Sequence, residues 1–171
     1  MLENDLDKAL AQIEEVMGVL YEPYRLDDRS SCLADIMFFG SRTWRDEGRK
    51  LALASTAALA ALWVARLKYP TAKPRVLRNK ARHVLHEDVI AEYRRAHLKH
   101  HGYTPFSRLV EDYDKFAILG EEIGEVARAL TPDATTPTGH AGDLAEELVQ
   151  VATMAAAWLA REIVEFEARW A

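Results

Sequence analysis

Apolar side chains return at helical spacing along nearly the whole chain, and valine and isoleucine never gather in the short alternating runs that mark strands. This periodicity predicts a first helix from about Asn4 to Leu20, stopping before Pro23, and then a polar loop over Tyr21 to Ser31. A short helix follows to Phe39, closed by Gly40, and a long alanine-rich helix ends near Lys68. Two prolines in Tyr69 to Pro74 break the chain. Beyond them a helix is expected from about Val76 to His100, ending at His101-Gly102, with a turn around Pro105 between Tyr103 and Phe106. Two last helices, about Asp112 to Leu130 and Asp143 to Trp170, flank Thr131 to Gly142, whose prolines, glycines and hydroxyl residues continue neither. They are expected to form an antiparallel hairpin. The fold class is therefore all-α, a helical bundle, with a candidate boundary at the proline break between an N-terminal helical region (1–70) and a second unit (75–171).

On a helical wheel Phe116, Leu119, Ile123, Val126 and Leu130 share one apolar sector, with Glu122 at its edge and Glu125 one turn later on the same flank. Two like charges at that spacing repel unless something cationic lies between them. In the last helix Leu144, Leu148, Val151, Ala155 and Trp158 define the apolar sector, and Glu147 falls inside it. A carboxylate on a core-facing stripe needs a partner, because burying it alone costs several kcal/mol. The hairpin can bring Glu122, Glu125 and Glu147 together, and oxygen ligands without histidine or cysteine suit Mg²⁺ or Mn²⁺, which take remaining ligands from water and substrate phosphates. A plainer reading exists for the neighbours. Glu121, Glu122 and Glu125 also fit a solvated face with Arg128 as counter-charge, and Asp143 with Glu146 three positions on fits a helix-capping box.

Composition narrows the setting. Hydrophobic residues make up 49 % and charged residues 29 %, a globular balance that excludes extensive disorder. A formal net charge of −5 argues against coating nucleic acid through the overall field, so a nucleic-acid partner is not expected. A single cysteine, Cys32, permits no internal disulfide, and MLENDLDKAL has no signal-peptide layout, so a reducing cytoplasmic location is expected. The alanine-rich segment Leu51 to Leu67 contains Ser55, Thr56 and Arg66 and falls short of the roughly 20 strongly apolar residues of a bilayer span. A buried helix, not a membrane segment, is expected there.

The two segments EEIGEVARAL (Glu121 to Leu130) and DLAEELVQVATMAAAWLA (Asp143 to Ala160) together resemble the MazG-like, all-α nucleoside triphosphate pyrophosphohydrolases, whose signature is EExxE, a variable spacer, then ExxD. The likeness covers the second half of the chain, from about Ala91 onward. It implies that Glu122, Glu125 and Glu147 are Mg²⁺ ligands, with Mn²⁺ as the alternative ion. It also implies hydrolysis between the α- and β-phosphates of a nucleotide substrate, and assembly as a homodimer or tetramer. Where the pattern ends in aspartate this chain has Gln150, which can still coordinate a cation but brings no charge, so one metal should bind well and a second poorly. Asp143, one turn before Glu147 on nearly the same flank, is a candidate to supply the missing charge, Glu146 is another, and Glu121 or Glu146 is the expected proton acceptor for the attacking water.

Upstream of the motif, Arg95 and Lys99 are candidate phosphate partners, together with Arg94, and Tyr103 is a candidate stacking surface for a base, with Phe106 as its alternative. His83, His86, His97, His100 and His101 have ligand-like spacing but no accompanying cysteine or aspartate pattern. From Arg66 to Arg82 seven basic residues occur with no acidic one, a stretch read first as a solvated linker. One internal echo stands out: AALWVAR (Ala60 to Arg66) against AAAWLAR (Ala155 to Arg161), which would make the first half a degenerate copy packed on the second. The function expected is Mg²⁺-dependent hydrolysis of nucleotides to nucleoside monophosphate and pyrophosphate. The alternative is a catalytically weakened nucleotide-binding or interaction protein of the same fold.

Overall fold

The computed structural model describes residues 2–20, 25–131 and 143–171, and every regular element within them is helical. Helix α1 (Leu2–Leu20) is followed by a 3₁₀ turn (Arg25–Asp27), α2 (Arg29–Arg42) and α3 (Arg49–Lys68). Helix α4 (Pro74–His83) runs through a π-helical segment (Val84–Val89) into α5 (Ile90–Lys99), and α6 (Asp112–Leu130) and α7 (Leu144–Trp170) complete the chain. The fold class is all-α.

Two helices form the centre. α3 is buried from Ala52 to Arg66 except at Leu59, and its alanines let α1, α2, α4 and α7 approach on all sides. By length and composition it is the one described helix long and apolar enough to cross a membrane, and most of that apolar surface is inside the bundle. α7 packs along it. Trp63 and Trp158, which occupy matching places in the sequence echo, are both fully buried, and Arg66 and Arg161 at the end of each echo are buried as well. Leu10 and Ile13 of α1, Ile36 of α2, Leu77 of α4 and Leu119 of α6 join these two helices in one core, so residues before and after the proline break share it.

Several boundaries differ from the sequence expectation. α2 begins at Arg29 rather than after Ser31, because the Asp28 side chain caps it by accepting the N–H groups of Ser30 and Ser31 at 3.0 and 3.2 Å. Gly40 does not close that helix. It lies buried inside α2, where an added Cβ would sit 2.5 Å from Ile123 Cδ1, so the glycine permits the close approach of α2 to α6. At the end of α5 the expectation holds. His101 and Gly102 take positive φ values of 51° and 81°, and Gly102 N–H returns to the His97 carbonyl at 2.8 Å. Pro74 opens α4 in its first turn, where its missing N–H costs nothing. The spacer between α6 and α7 falls outside the described residues after Thr131.

α6 and α7 run antiparallel. Arg49 Nη1 reaches both Asp112, the first residue of α6, and Glu162, late in α7, at 2.6 and 3.0 Å, while Glu125, late in α6, meets Glu147, early in α7. The carboxylates therefore gather at one end of the pair and the arginine clasp at the other.

Candidate metal centre

α6 presents Glu122 and Glu125 from successive turns, and α7 presents Glu147 opposite them. One carboxylate oxygen of each lies within 4.8 Å of the others, the one such convergence of acidic, histidine or cysteine ligands among the described residues. Ile123 and Val126, buried next to Glu122 and Glu125 in the chain, fix the rotation of α6, and Leu148 and Val151 do the same for α7. Glu147 is only 6 % exposed, and Glu122 Oε2 is buried with no hydrogen-bond partner.

Burial is the largest influence on both acids. It raises the Glu122 carboxyl to about 7, helped by the charges of Glu125, Glu147, Glu121 and Glu92. It raises Glu147 to about 7 as well, reinforced by the charge and a hydrogen bond of Glu125 and by the charges of Glu146 and Glu92. Near neutrality the cluster thus shares protons that hold its charges apart. Three hard oxygen ligands, with one oxygen of Glu122 buried and without a donor, could hold a metal ion.

The remaining candidates divide between two clefts. A cavity of 320 Å³ is bounded by α5, residues 103–105, α6 and α7. Into it open Glu121, Glu122, Glu125 and Gln150, and facing them Arg95, Lys99 and Tyr103, so the expected substrate groups and most of the expected ligands share one wall-to-wall space. Its apolar lining comes from Ala96, Pro105, Ile118 and Met154. Phe106, the other stacking candidate, is not on this wall. A second cleft, of 610 Å³, is lined by Asp143, Glu146, Lys68 and Asp88, so Glu121 and Glu146, the two candidate proton acceptors, face different spaces. Asp143 caps α7, its side chain accepting Ala145 N–H at 3.1 Å. Gln150 Nε2 donates to Glu147 Oε2 at 3.0 Å, so the residue that departs from the family pattern does face the carboxylates.

One residue beside the three glutamates carries no functional signal in the sequence. Glu92, on α5, lines both clefts and carries its charge to both Glu122 and Glu147. Its only local signal is Arg95 three positions on, the ordinary spacing of a surface helix pair. The basic stretch is largely engaged within the chain. Arg66 Nη1 donates to the carbonyls of Pro70 and Ala72, Lys68 pairs with Asp88 at 2.8 Å, and Arg82 with Glu14 at 2.6 Å. His86 also joins Glu14, and His97 packs against Gly102. No protein-family model, curated protein or solved structure matches this chain, so the MazG-like resemblance rests on its two carboxylate segments alone.

Proposed function

We propose that this chain hydrolyses nucleoside triphosphates, or related nucleotides, to nucleoside monophosphate and pyrophosphate with Mg²⁺ or Mn²⁺ held by Glu122, Glu125 and Glu147. The observation that carries the reading is the convergence of those three carboxylates, one oxygen of Glu122 being buried and unpartnered, beside a cavity that also holds two cations and an aromatic ring. A cation there would neutralise phosphate charge and anchor the polyphosphate. Arg95 and Lys99 then pair with phosphate oxygens across the cavity, and Tyr103, half exposed at its edge, gives a face on which a base can stack. Water attacks the α-phosphorus, the bond to the bridging oxygen breaks, and pyrophosphate leaves with its electron pair. Glu121, exposed at the rim beside Glu122, accepts the proton of the water. Assembly as a homodimer or tetramer and a cytoplasmic setting belong to the same proposal.

A second reading has one specific observation in its favour. The amide of Gln150 occupies an oxygen of Glu147 and adds no charge, which suits a protein that binds nucleotides of this class and turns them over poorly. Pyrophosphate release from a panel of nucleoside triphosphates, with and without Mg²⁺, separates the two. The hydrolase reading expects Mg²⁺-dependent release that Glu147→Gln abolishes with the helical spectrum retained. Nucleotide binding without release supports the second reading, and wild-type rates in Glu147→Gln contradict both the ligand set and the mechanism.

A further inference from the structure

Glu92 stands on neither of the helices that supply the three carboxylates, yet it lines the same cavity as Glu122 and Glu125. Its two oxygens accept from Arg95 Nε and Nη2 at 2.7 and 2.6 Å. In this pair the glutamate side chain is 14 % exposed and the arginine 54 %, so the carboxylate is turned inward and the guanidinium outward. The two clefts have three lining residues in common, Glu92, Arg95 and Gln150, which together make the partition between them. Glu92 thus faces α7 at the level of Gln150, where α7 itself offers a hydrogen-bond donor and no charge. The carboxylate of Glu92 has two possible partners: a guanidinium half open to water, a weak attraction, or a divalent ion beside three acids.

We propose that Glu92 is a fourth carboxylate of the metal centre, exchanging Arg95 for the cation when one binds, and that Arg95 so released becomes the group that grips the anionic ligand. The inference rests on the metal-centre reading above and deepens it. Cation and anion binding are then coupled through one side-chain exchange. Each ligand tightens the other by the same factor, because linkage is reciprocal.

Calorimetric titration of MnCl₂ alone into the full chain tests this on wild type, Glu92→Gln and Arg95→Gln, with folding checked by circular dichroism. Glu92→Gln is expected to weaken Mn²⁺ binding on the order of tenfold or more. Arg95→Gln is expected to tighten it, because Glu92 is then free for the ion. The opposite signs distinguish an exchange from a structural pair, and the exposed Arg95 position gives a result even if Glu92→Gln does not fold. Mn²⁺ affinity in Glu92→Gln within about twofold of wild type overturns the proposal, as a surface pair would give that result. So does weakening by Arg95→Gln. Absence of Mn²⁺ binding by the wild type overturns the metal-centre reading itself, whereas wild-type binding that Glu92→Gln leaves intact overturns this inference alone.

Discussion

Glu147 is almost out of water, one of its oxygens engaged by Gln150, in surroundings otherwise dominated by acids. Its carboxyl and that of Glu122 are raised from 4.5 to about 7, so between those pH values the folded chain holds protons that the unfolded chain has released. Stability without a cation therefore falls as pH rises through that window and, for these two groups, levels off above it. A bound cation displaces the same protons, so the rise in melting temperature produced by Mg²⁺ is predicted to grow from roughly pH 5 to pH 8. A shift of equal size across that range, measured by scanning calorimetry, would count against the assignment. Gln150→Asp sharpens the point. The change removes a donor and sets a charge near Glu147 Oε2, so the cation-free protein is predicted to melt lower while its Mg²⁺-induced shift becomes larger. If neither quantity moves, position 150 lies outside the centre. Glu147 was legible because a carboxylate in an apolar stripe has few explanations, and Glu122 with Glu125 because their spacing puts them on one flank. Glu92 was not, since the sequence shows its arginine but not the helix it faces.

The elements explain why. Over α4, the π segment and α5 the buried residues include a run at every fourth position, Leu77, Ala81, Leu85, Val89 and Tyr93, with Val84 and Ala96 buried beside it. In an unbroken α-helix such a stripe winds around the axis by roughly 40° at each step. The wide turn at Val84–Val89 absorbs much of that drift and keeps Tyr93 on the core, which brings Glu92 to the clefts. The expected end of α2 at Phe39 falls short of the observed Arg42 for a related reason. Its glycine looks like a stop signal in sequence and is a contact with Ile123 in space. At the other end of the α6–α7 pair, Arg49 is 6 % exposed, donates to the Thr43 carbonyl, bridges Asp112 and Glu162, and lies over the Trp158 ring. Arg49→Met removes the donor that these acceptors share, leaving Asp112 with Lys115 and Glu162 with Trp158, and unties three helices. A loss of about 3 kcal/mol is predicted. For a chain of this length that lowers the melting temperature by roughly 6–12 °C. Mn²⁺ affinity of the folded fraction should survive, since the clasp is far along the hairpin from the carboxylates. An unchanged melting temperature would show that the clasp contributes nothing.

Helix order and most helix ends followed from periodicity, capping residues and prolines, because those are local. The cavity did not, because its walls come from α5, residues 103–105, α6 and α7, and their relative positions depend on packing of α5 and α6 against α7, of α6 against α2 and of α7 against α3. The same packing joins the two halves of the chain in one core, so the three glutamates stand on a frame that includes the N-terminal helices. Destabilising that frame and removing a ligand are therefore different lesions, and a test of the central claim has to separate them. Anomalous diffraction from crystals soaked in MnCl₂ does so directly. The account predicts a peak within coordination distance of Glu122, Glu125 and Glu147, absent from crystals of Glu147→Gln with the same helical frame. A peak confined to Asp143 and Glu146, or no peak at the three glutamates under Mn²⁺ that saturates the protein in solution, would contradict it.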